Sequence, residues 1–353
     1  HRGGFTAFVF ELTGYLKHGE TNRLWAVVNN APRLDVLPTA GDNNVYGGIY
    51  RDVELIVAEP SHIALSHYAS DGIYVHQKSV TREKAELETT VRIDGLAGRT
   101  LNVDMAVLTA EGDTAAVQST KFKAPEKGTG SASRPASLLR PRLWNGTLDP
   151  YMYRVAVRLT DDGLPCDEAS VPLGLRFFTV DPKEGFLLNG EPYRLRGVVY
   201  YEDRASAGIA LSPYQIREDL DMIAEMGANA VRAAAYPHNP EFYAECDRRG
   251  LIVWTDLPLV GPAFMTDKGY TGTEELKRNG RQQLREMLFQ RFNNPSVVMW
   301  GIFSEQTPRG DDPTDYIEEL NEEALQEDPS RMTVAASNQD GRINFVTDLI
   351  VWD

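Results

Sequence analysis

The sequence predicts a multidomain protein in which β-sandwich structure precedes an incomplete (β/α)8 TIM barrel. Short strand-like runs separated by Gly, Asp and Pro turns fill the first half, and strand-like and helical runs alternate from residue 181 onwards. Six strands can be counted in this second half, where a closed barrel has eight. We therefore divide the 353 residues into a first β region (1–60), a β-sandwich (61–180) and a partial barrel (181–353).

The charge of the chain argues against two classes of partner. It has 36 Lys and Arg against 51 Asp and Glu, a formal net charge of −15. Nucleic-acid binding depends on clustered positive side chains that neutralise phosphates, and an acidic surface is repelled by anionic lipid. The longest apolar run, 251–265, is interrupted by Asp256 and by prolines and is too broken to span a bilayer. We therefore expect a globular protein without a nucleic-acid or membrane partner.

The cysteines and histidines predict neither a cofactor nor a metal site. Cys166 and Cys246 lie far apart and are expected to be free thiols, and the six histidines are scattered without ligand spacing. His238 follows a predicted barrel strand and is expected to be a solvated loop residue. The chain begins at His1 and not at Met, so the lack of a signal peptide does not distinguish cytoplasm from periplasm.

Strand signals in the first two regions come from β-branched and aromatic residues or from period-two alternation. The predicted strands are 5–10, 24–28 and 50–57 in the first region, and 73–80, 87–93, 101–108 and 153–159 in the sandwich. Between the last two strands lies 123–137, which is rich in Gly, Ser, Pro and Lys. We expect this stretch to be a long exposed loop with a tendency to disorder.

In the third region the alternation contains no Gly-x-Gly-x-x-Gly turn, which favours a (β/α)8 barrel over a nucleotide-binding sheet. The helix 213–226 has the usual boundary signals, with Ser212 as N-cap and Pro213 at the first position. The predicted strands are 193–201, 230–236, 251–256, 297–303, 332–336 and 349–352, and the predicted helices are 213–226, 240–249, 274–292 and 314–326. These 173 residues are fewer than the roughly 250 of a complete barrel, so we expect a piece of a larger protein, cut at both ends.

Barrel active sites lie at the carboxyl ends of the strands, so candidate catalytic residues are sought there. Strand 297–303 is followed by Ser304 and Glu305, and its apolar residues disfavour an ionised carboxylate nearby and raise its pKa. Such a carboxyl group suits general-acid catalysis near neutral pH. Polar residues at or near the ends of the preceding strands are Asp203, Arg232, Tyr236 and Asp256.

The stretch 294–305, NPSVVMWGIFSE, resembles the acid/base signature of glycoside hydrolase family 2, which contains β-galactosidases, β-glucuronidases and β-mannosidases. Further stretches are similar to family motifs in the same order: 44–53 (NVYGGIYRDV), 141–144 (PRLW), 150–153 (PYMY), 185–190 (GFLLNG), 227–232 (GANAVR) and 236–237 (YP). The resemblance covers essentially the whole chain. It implies a jelly-roll domain, an immunoglobulin-like domain and a TIM barrel for the three regions above.

The resemblance also implies retaining hydrolysis of a β-glycoside. In this reaction one carboxylic acid protonates the leaving oxygen, and a second carboxylate, roughly 5–5.5 Å away, attacks the anomeric carbon. Glu305 would be the acid and then the base that activates water. The family's nucleophile is a Glu at the end of strand seven, which would lie beyond residue 353. We therefore expect the 353-residue chain to be inactive by itself.

The same resemblance implies a set of substrate-binding residues. Asp203 would bind sugar hydroxyls and Arg232 would lie under the nucleophile, while Tyr236 and Asp256 would line the sugar subsite. The residues themselves also allow an ion pair inside the barrel for Arg232 and core packing for Tyr236. Trp300 is either packed beneath the acid or a stacking platform for the substrate.

Three positions depart from the family pattern. Ser304 stands where the family usually has an Asn that hydrogen-bonds the sugar 2-OH, a contact that strengthens in the transition state. Ala235 stands where the family usually has His, and Tyr201 stands where many members have His. We expect these changes to alter the choice of substrate or to slow the reaction.

The sequence thus predicts an exo-acting β-glycosidase for an oligosaccharide or β-glycoside substrate. β-Galactosidase is the first hypothesis, and β-glucuronidase and β-mannosidase are the alternatives. A hypothesis of another class is a carbohydrate-binding homologue whose catalysis has decayed, motivated by the three departures. Retention of Glu305, Arg232 and Asp203 argues against complete decay. A homo-oligomer is compatible with the predicted surfaces, but no residue pattern specifies an interface.

Overall fold

The computed structural model describes residues 1–39, 41, 44–261, 269–306 and 310–352. The first eight strands are β1 (His62–Ile63), β2 (Ile73–Val80), β3 (Lys84–Asp94), β4 (Thr100–Leu108), β5 (Thr114–Lys123), β6 (Thr129–Leu139), β7 (Tyr153–Asp161) and β8 (Leu164–Leu173). A small antiparallel sheet follows, with β9 (Phe178–Asp181), β10 (Gly185–Leu188) and β11 (Glu191–Pro192). The parallel strands are β12 (Gly197–Tyr200), β13 (Ala230–Ala233), β14 (Ile252–Asp256), β15 (Val297–Ser304), β16 (Met332–Ser337) and β17 (Leu349–Trp352). The α-helices are α1 (Pro213–Glu225), α2 (Pro240–Arg249), α3 (Glu274–Gln290) and α4 (Thr314–Glu327).

Strands β1 to β8 form two antiparallel sheets that share one core, which confirms the predicted sandwich. In one sheet β3 pairs with β1, β2 and β6, and in the other the order is β5-β4-β7-β8. Along β4 every second residue is apolar and no more than 2 % exposed, and these residues pack with apolar residues of the other sheet. Strands β5 and β8 were not predicted, because they lie at the edges of their sheet and most of their residues are not buried.

Residues 129–139 form strand β6, so the prediction of a long exposed loop over 123–137 is wrong. β6 is antiparallel to β3 along its whole length, and its buried residues are Ala132, Ala136 and Leu138. Two of these are alanines, and all three belong to the apolar core of the sandwich. Pro135 is tolerated because β6 is an edge strand, where a missing N–H need not interrupt the hydrogen-bond ladder.

The described part of residues 1–60 contains no strand, so the three strands predicted there are wrong. Their apolar side chains are largely exposed: Phe10 by 62 %, Trp25 by 84 % and Val57 by 89 %. A strand is stable when a neighbour pairs its N–H and C=O groups, and no described strand pairs with these runs. Helix α3 holds this segment instead: the Leu37 amide donates to Asn279 Oδ1 at 2.9 Å, and Gln283 Nε2 donates to the Leu37 carbonyl at 3.1 Å.

Strands β12 to β17 are parallel and follow one another in sheet order, with α1 to α4 among their connections, which confirms the incomplete barrel. Apolar residues of the strands and helices form a common core that includes Leu220, Val253 and Leu284, all fully buried. All eight residues of β15 are buried, as its continuous apolar run predicts. Among the described helices, none is long and apolar enough to cross a membrane.

The small sheet β9–β11 packs at the amino ends of the barrel strands. Phe186 and Leu188 of β10 share an apolar cluster with Ile252 and Val298, which lie near the starts of β14 and β15. This end of the barrel is therefore filled with packed side chains. The carboxyl ends of the six strands share the opposite edge, which we call the barrel mouth.

Candidate active site

Three predicted site residues from neighbouring strands meet at the barrel mouth. Arg232 of β13 donates from Nε to Asp256 Oδ2 of β14 at 2.9 Å, and from Nη2 to Ser304 Oγ of β15 at 2.9 Å. The parallel register brings them together, because Arg232 lies opposite Trp254, two residues before Asp256. The guanidinium group thus links three strands, and the ion pair that the sequence allowed for Arg232 is present.

This cluster is almost completely buried, which affects its charges. The Asp256 side chain is 2 % exposed and that of Arg232 is 11 % exposed. Burial raises the pKa of Asp256 to about 6, and the adjacent Arg232 guanidinium opposes this shift. The guanidinium also lies over the Trp254 ring, 4.2 Å from its centroid, where a cation is favoured. The pair therefore places a positive group and a carboxyl group with a raised pKa beside Ser304.

Two residues of this cluster were missed by sequence reasoning, Gly301 and Trp254. A Cβ atom on Gly301 would lie 2.0 Å from Asp256 Oδ1 and 2.5 Å from Trp254 Nε1, so no larger residue fits without displacing them. A glycine inside an otherwise apolar strand often marks such a close approach. That signal was available in the sequence of β15.

Glu305, the proposed acid/base residue, follows β15 directly. Its backbone N–H donates to the Ala336 carbonyl of β16 at 2.9 Å, and its φ of 48° lies in the left-handed region. A non-glycine residue in this region costs about 1 kcal/mol or more, and such residues cluster at functional sites. Glu305 is partly exposed, whereas every residue of β15 before it is buried. Its catalytic role stays a prediction.

Asp203 follows β12, the edge strand next to β13, and so lies at the side of the mouth that this edge forms. Its carboxylate accepts hydrogen bonds from Asn44 Nδ2 at 2.9 Å and from the Tyr46 hydroxyl at 3.0 Å. The hydrogen bond to Asp203 raises the pKa of the Tyr46 phenol, which therefore stays protonated and donates. The sequence placed Asp203 at a strand end but did not predict these partners.

Glu202, next to Asp203, is fully buried and was also missed as a site residue. It accepts a hydrogen bond from Arg51 Nη2 at 3.0 Å and another from the backbone N–H of Asn239 at 2.9 Å. Burial raises the pKa of Glu202, and Arg51 opposes this shift. Arg51 also donates to the Phe5 and Pro237 carbonyls, so residues 5 and 51 of the first segment are both tied to the mouth.

Tyr236 and His238 follow β13, and both are buried. Tyr236 is 2 % exposed and stacks on Phe5 at a centroid distance of 4.3 Å, which supports core packing. The prediction that His238 is a solvated loop residue is wrong, because the rings of Tyr200, Tyr236 and Phe242 surround it. Burial lowers the pKa of His238 to about 3, so the imidazole is neutral in the folded protein.

The remaining named residues do not join the cluster around Arg232. Trp300 is fully buried in the core between strands and helices, and its indole N–H donates to Asp328 Oδ2 at 3.0 Å. It therefore does not line the mouth as a stacking platform. Ala235 packs in a small apolar cluster with Val260, and Tyr201 is 40 % exposed beside Glu202. Within the described residues, no group of three or more His, Cys, Asp or Glu could hold a metal ion.

Comparison with family models places this architecture in a known family. A model of the TIM-barrel domain of glycosyl hydrolases family 2 matches residues 180–352, and a second model of glycosyl hydrolases family 2 matches residues 69–176. The chain belongs to glycoside hydrolase family 2. The resemblance of the sequence motifs to this family is thereby confirmed.

Individual relatives of this family 2 chain support the same assignment. A protein of Bacteroides fragilis named beta-glucuronidase is 41 % identical and covers 100 % of this chain, which spans 51 % of that protein. The structure of a putative beta-galactosidase from Bacteroides fragilis has a TM-score of 0.90 with 34 % identity, covering 100 % of this chain and 52 % of that one. The structure of Bacteroides uniformis beta-glucuronidase 2, covalently bound to cyclophellitol-6-carboxylate aziridine, has a TM-score of 0.88 with 27 % identity, covering 100 % and 44 %. The chain thus spans about half the length of the curated relatives it matches.

Proposed function

We propose that the protein containing this sequence is a retaining exo-β-glycosidase whose substrates are β-glucuronides. The observation that carries the proposal is the 41 % identity, over the whole chain, with a protein named beta-glucuronidase. A structural relative named beta-glucuronidase 2 is covalently bound to a carboxylate-bearing aziridine, which is consistent with a uronic acid sugar in that protein. The sequence alone had favoured β-galactosidase, and the relatives support the alternative better.

β-Galactosidase stays as the second candidate because of specific relatives. A protein of Thermoanaerobacter pseudethanolicus named beta-galactosidase is 30 % identical over 94 % of this chain. The two sugars differ at C6, which is a carboxylate in glucuronides and a hydroxymethyl group in galactosides, and in the orientation of the 4-OH. A single positive residue aimed at the C6 carboxylate would favour the glucuronide strongly, since charge-assisted hydrogen bonds are about twice as strong as neutral ones.

In the proposed reaction Glu305 protonates the glycosidic oxygen as the aglycone leaves, and then deprotonates the attacking water. A second carboxylate, supplied by a part of the full-length protein outside the described residues, attacks the anomeric carbon. Arg232 holds Ser304, the residue before Glu305, through a 2.9 Å hydrogen bond, and so helps to fix the end of β15. Because Asp256 pairs with Arg232, the guanidinium group adds little net charge to the mouth.

Asp203 is proposed to accept hydrogen bonds from sugar hydroxyls. A carboxylate has about four acceptor sites, and Asn44 and Tyr46 occupy two of them. Asp203 is partly exposed, so the other sites are accessible to a ligand. Tyr236 is covered by Phe5, so we assign it a packing role beneath the sugar site and not a direct contact.

The proposal is tested by the substrate preference of the full-length protein. We expect kcat/KM for 4-nitrophenyl β-D-glucuronide to exceed that for the matched β-D-galactoside and β-D-mannoside by at least about 100-fold, the discrimination typical of a site that pairs a buried charge. A preference for the galactoside would overturn the glucuronidase assignment but not the glycosidase assignment. Binding of the sugars without turnover of any glycoside would support a homologue whose catalysis has decayed.

A further inference from the structure

The residues that hold Asp203 come from the first segment of the chain and not from the barrel. Tyr46 and Asn44 lie 157 and 159 positions before Asp203, and each donates to its carboxylate. The Tyr46 hydroxyl is 3.0 Å from Oδ1 and 3.1 Å from Oδ2, and Asn44 Nδ2 is 3.3 Å from the Tyr46 oxygen. The three groups form a closed network around one carboxylate.

The Tyr46 ring is seated by the loop that follows Asp203. A Cβ atom added to Gly208 would lie 2.9 Å from two carbons of the ring, so the ring packs directly on this glycine. The loop is closed by a pair of backbone hydrogen bonds between Arg204 and Gly208. The phenol is therefore held by a formed turn of the barrel, and its hydroxyl meets Asp203 at a fixed place.

A second contact fixes the same stretch of the first segment. Arg51, five positions after Tyr46, pairs with the fully buried Glu202, which precedes Asp203. The chain neighbours Glu202 and Asp203 are thus both bonded to the stretch 44–51. This double attachment limits how far the carboxylate of Asp203 can turn relative to the mouth.

We propose that Tyr46 is a positioning residue that orients Asp203 toward the sugar hydroxyls. The inference rests on the proposed function, because it assumes that Asp203 binds the sugar. Without the phenol hydroxyl, one oxygen of Asp203 loses its donor and the carboxylate can rotate away from the substrate. Because hydroxyl contacts are made in the bound ground state as well as in the transition state, the loss should fall mainly on KM.

The test uses four forms of the full-length protein: wild type, Tyr46→Phe, Asp203→Ala and the double variant. Tyr46→Phe keeps the ring on Gly208 and removes one hydrogen bond to a charged group, so kcat/KM should fall about tenfold. In the Asp203→Ala background the same change should have no further effect. Tyr15→Phe, which removes the hydroxyl of an 84 % exposed tyrosine of the same segment, is the control and should match the wild type.

Two results would overturn the role of Tyr46. One is a Tyr46→Phe variant whose kcat/KM equals that of the wild type. The other is a tenfold loss of kcat/KM that Tyr46→Phe still causes in the Asp203→Ala background, which would mean that the phenol contacts the sugar itself. Calorimetric measurement of the affinities of the same four proteins for glucuronate and galactose gives the same double-mutant cycle independently of turnover. A wild type that prefers galactose would refute the glucuronidase assignment but not the role of Tyr46. A wild type that binds neither sugar would refute both the glucuronidase assignment and the role of Tyr46.

Discussion

The two sides of the barrel mouth are assembled in different ways. On one side Arg232, Asp256 and Ser304 come from three adjacent strands, and the hydrogen-bond ladder of the sheet sets their spacing. On the other side Asp203 is held by residues more than 150 positions earlier in the chain. The first side therefore depends on sheet register, whereas the second depends on where a distant segment docks.

The two sides also differ in their exposure to solvent. Asp256 and Ser304 are at most 3 % exposed, whereas Tyr46 is 39 % exposed. The side formed by Arg232, Asp256 and Ser304 is called the strand-built side. Disrupting it should leave buried charges without partners, with large effects on stability. The side formed by Asp203, Asn44 and Tyr46 is called the segment-built side. Disrupting it should affect ligand binding more than folding.

The largest expected effect is on the strand-built side, at Glu305. Glu305→Gln removes the proton donor, so kcat/KM for substrates with poor leaving groups should fall about 10² to 10⁴-fold. Substrates with activated leaving groups need little proton transfer and should lose much less. The leaving-group dependence of the full-length protein is the measurement, with the exposed Glu225→Gln as control. Equal losses for all leaving groups would contradict the acid role.

The next effect distinguishes the buried pair from a surface ion pair. Arg232→Met should lower the free energy of unfolding by about 3–5 kcal/mol, because Asp256 is left as an uncompensated buried charge. Adding Asp256→Asn should restore part of this loss, since a neutral amide costs less to bury. Thermal melting of the three variants and the wild type measures this cycle. A double variant that melts below Arg232→Met would be inconsistent with this account.

The same pair predicts a pH dependence. The pKa of Asp256 is raised to about 6 in the folded state, above its unfolded value near 4, so the folded protein binds the proton more tightly. Lowering the pH from 7 toward 5 should therefore reduce the penalty of Arg232→Met, measured as the difference in melting temperature from the wild type. A penalty that grows over this range would show that burial of the charge is not the cause.

A pH dependence of the opposite sign is expected at His238, in the loop that follows β13. Its folded pKa of about 3 lies below the unfolded value near 6.5, so it stabilises the protein above pH 6.5 and loses this contribution as the pH falls toward 3. Within this window the loss approaches about 1.4 kcal/mol per pH unit. His238→Phe should show a shallower decline of melting temperature than the wild type. His67→Phe, at a half-buried histidine whose pKa is lowered by burial to about 4, provides the comparison away from the mouth.

The smallest expected effect concerns Ser304. Ser304→Ala removes the acceptor for Arg232 Nη2, which should cost about 1 kcal/mol and lower kcat/KM about fivefold. Ser304→Thr keeps the hydroxyl and should retain more of the activity. If both variants behaved alike, the hydrogen bond to Arg232 would not matter for the reaction.

The outcomes of the sequence predictions follow the same division. The apolar run before Glu305 and the capping signals of α1 predicted their elements correctly, because those patterns are local. Trp300 could not be assigned to a face of β15, since every position of that strand is buried and no alternation separates the two sides. His238 lies between Pro237 and Asn239 in a short loop sequence that does not predict burial, and the aromatic rings that converge on it in three dimensions bury it.

By itself the sequence determined the order of a sandwich and a partial barrel, the six parallel strands, and the strand ends that carry Glu305, Asp256 and Arg232. Local periodicity and turn residues are enough for this, because they act within a few positions of the chain. Tertiary structure alone decided that the described part of residues 1–60 forms no strands and that Tyr46 meets Asp203. Strand pairing and side-chain contact depend on which distant groups become neighbours, and no local pattern encodes that.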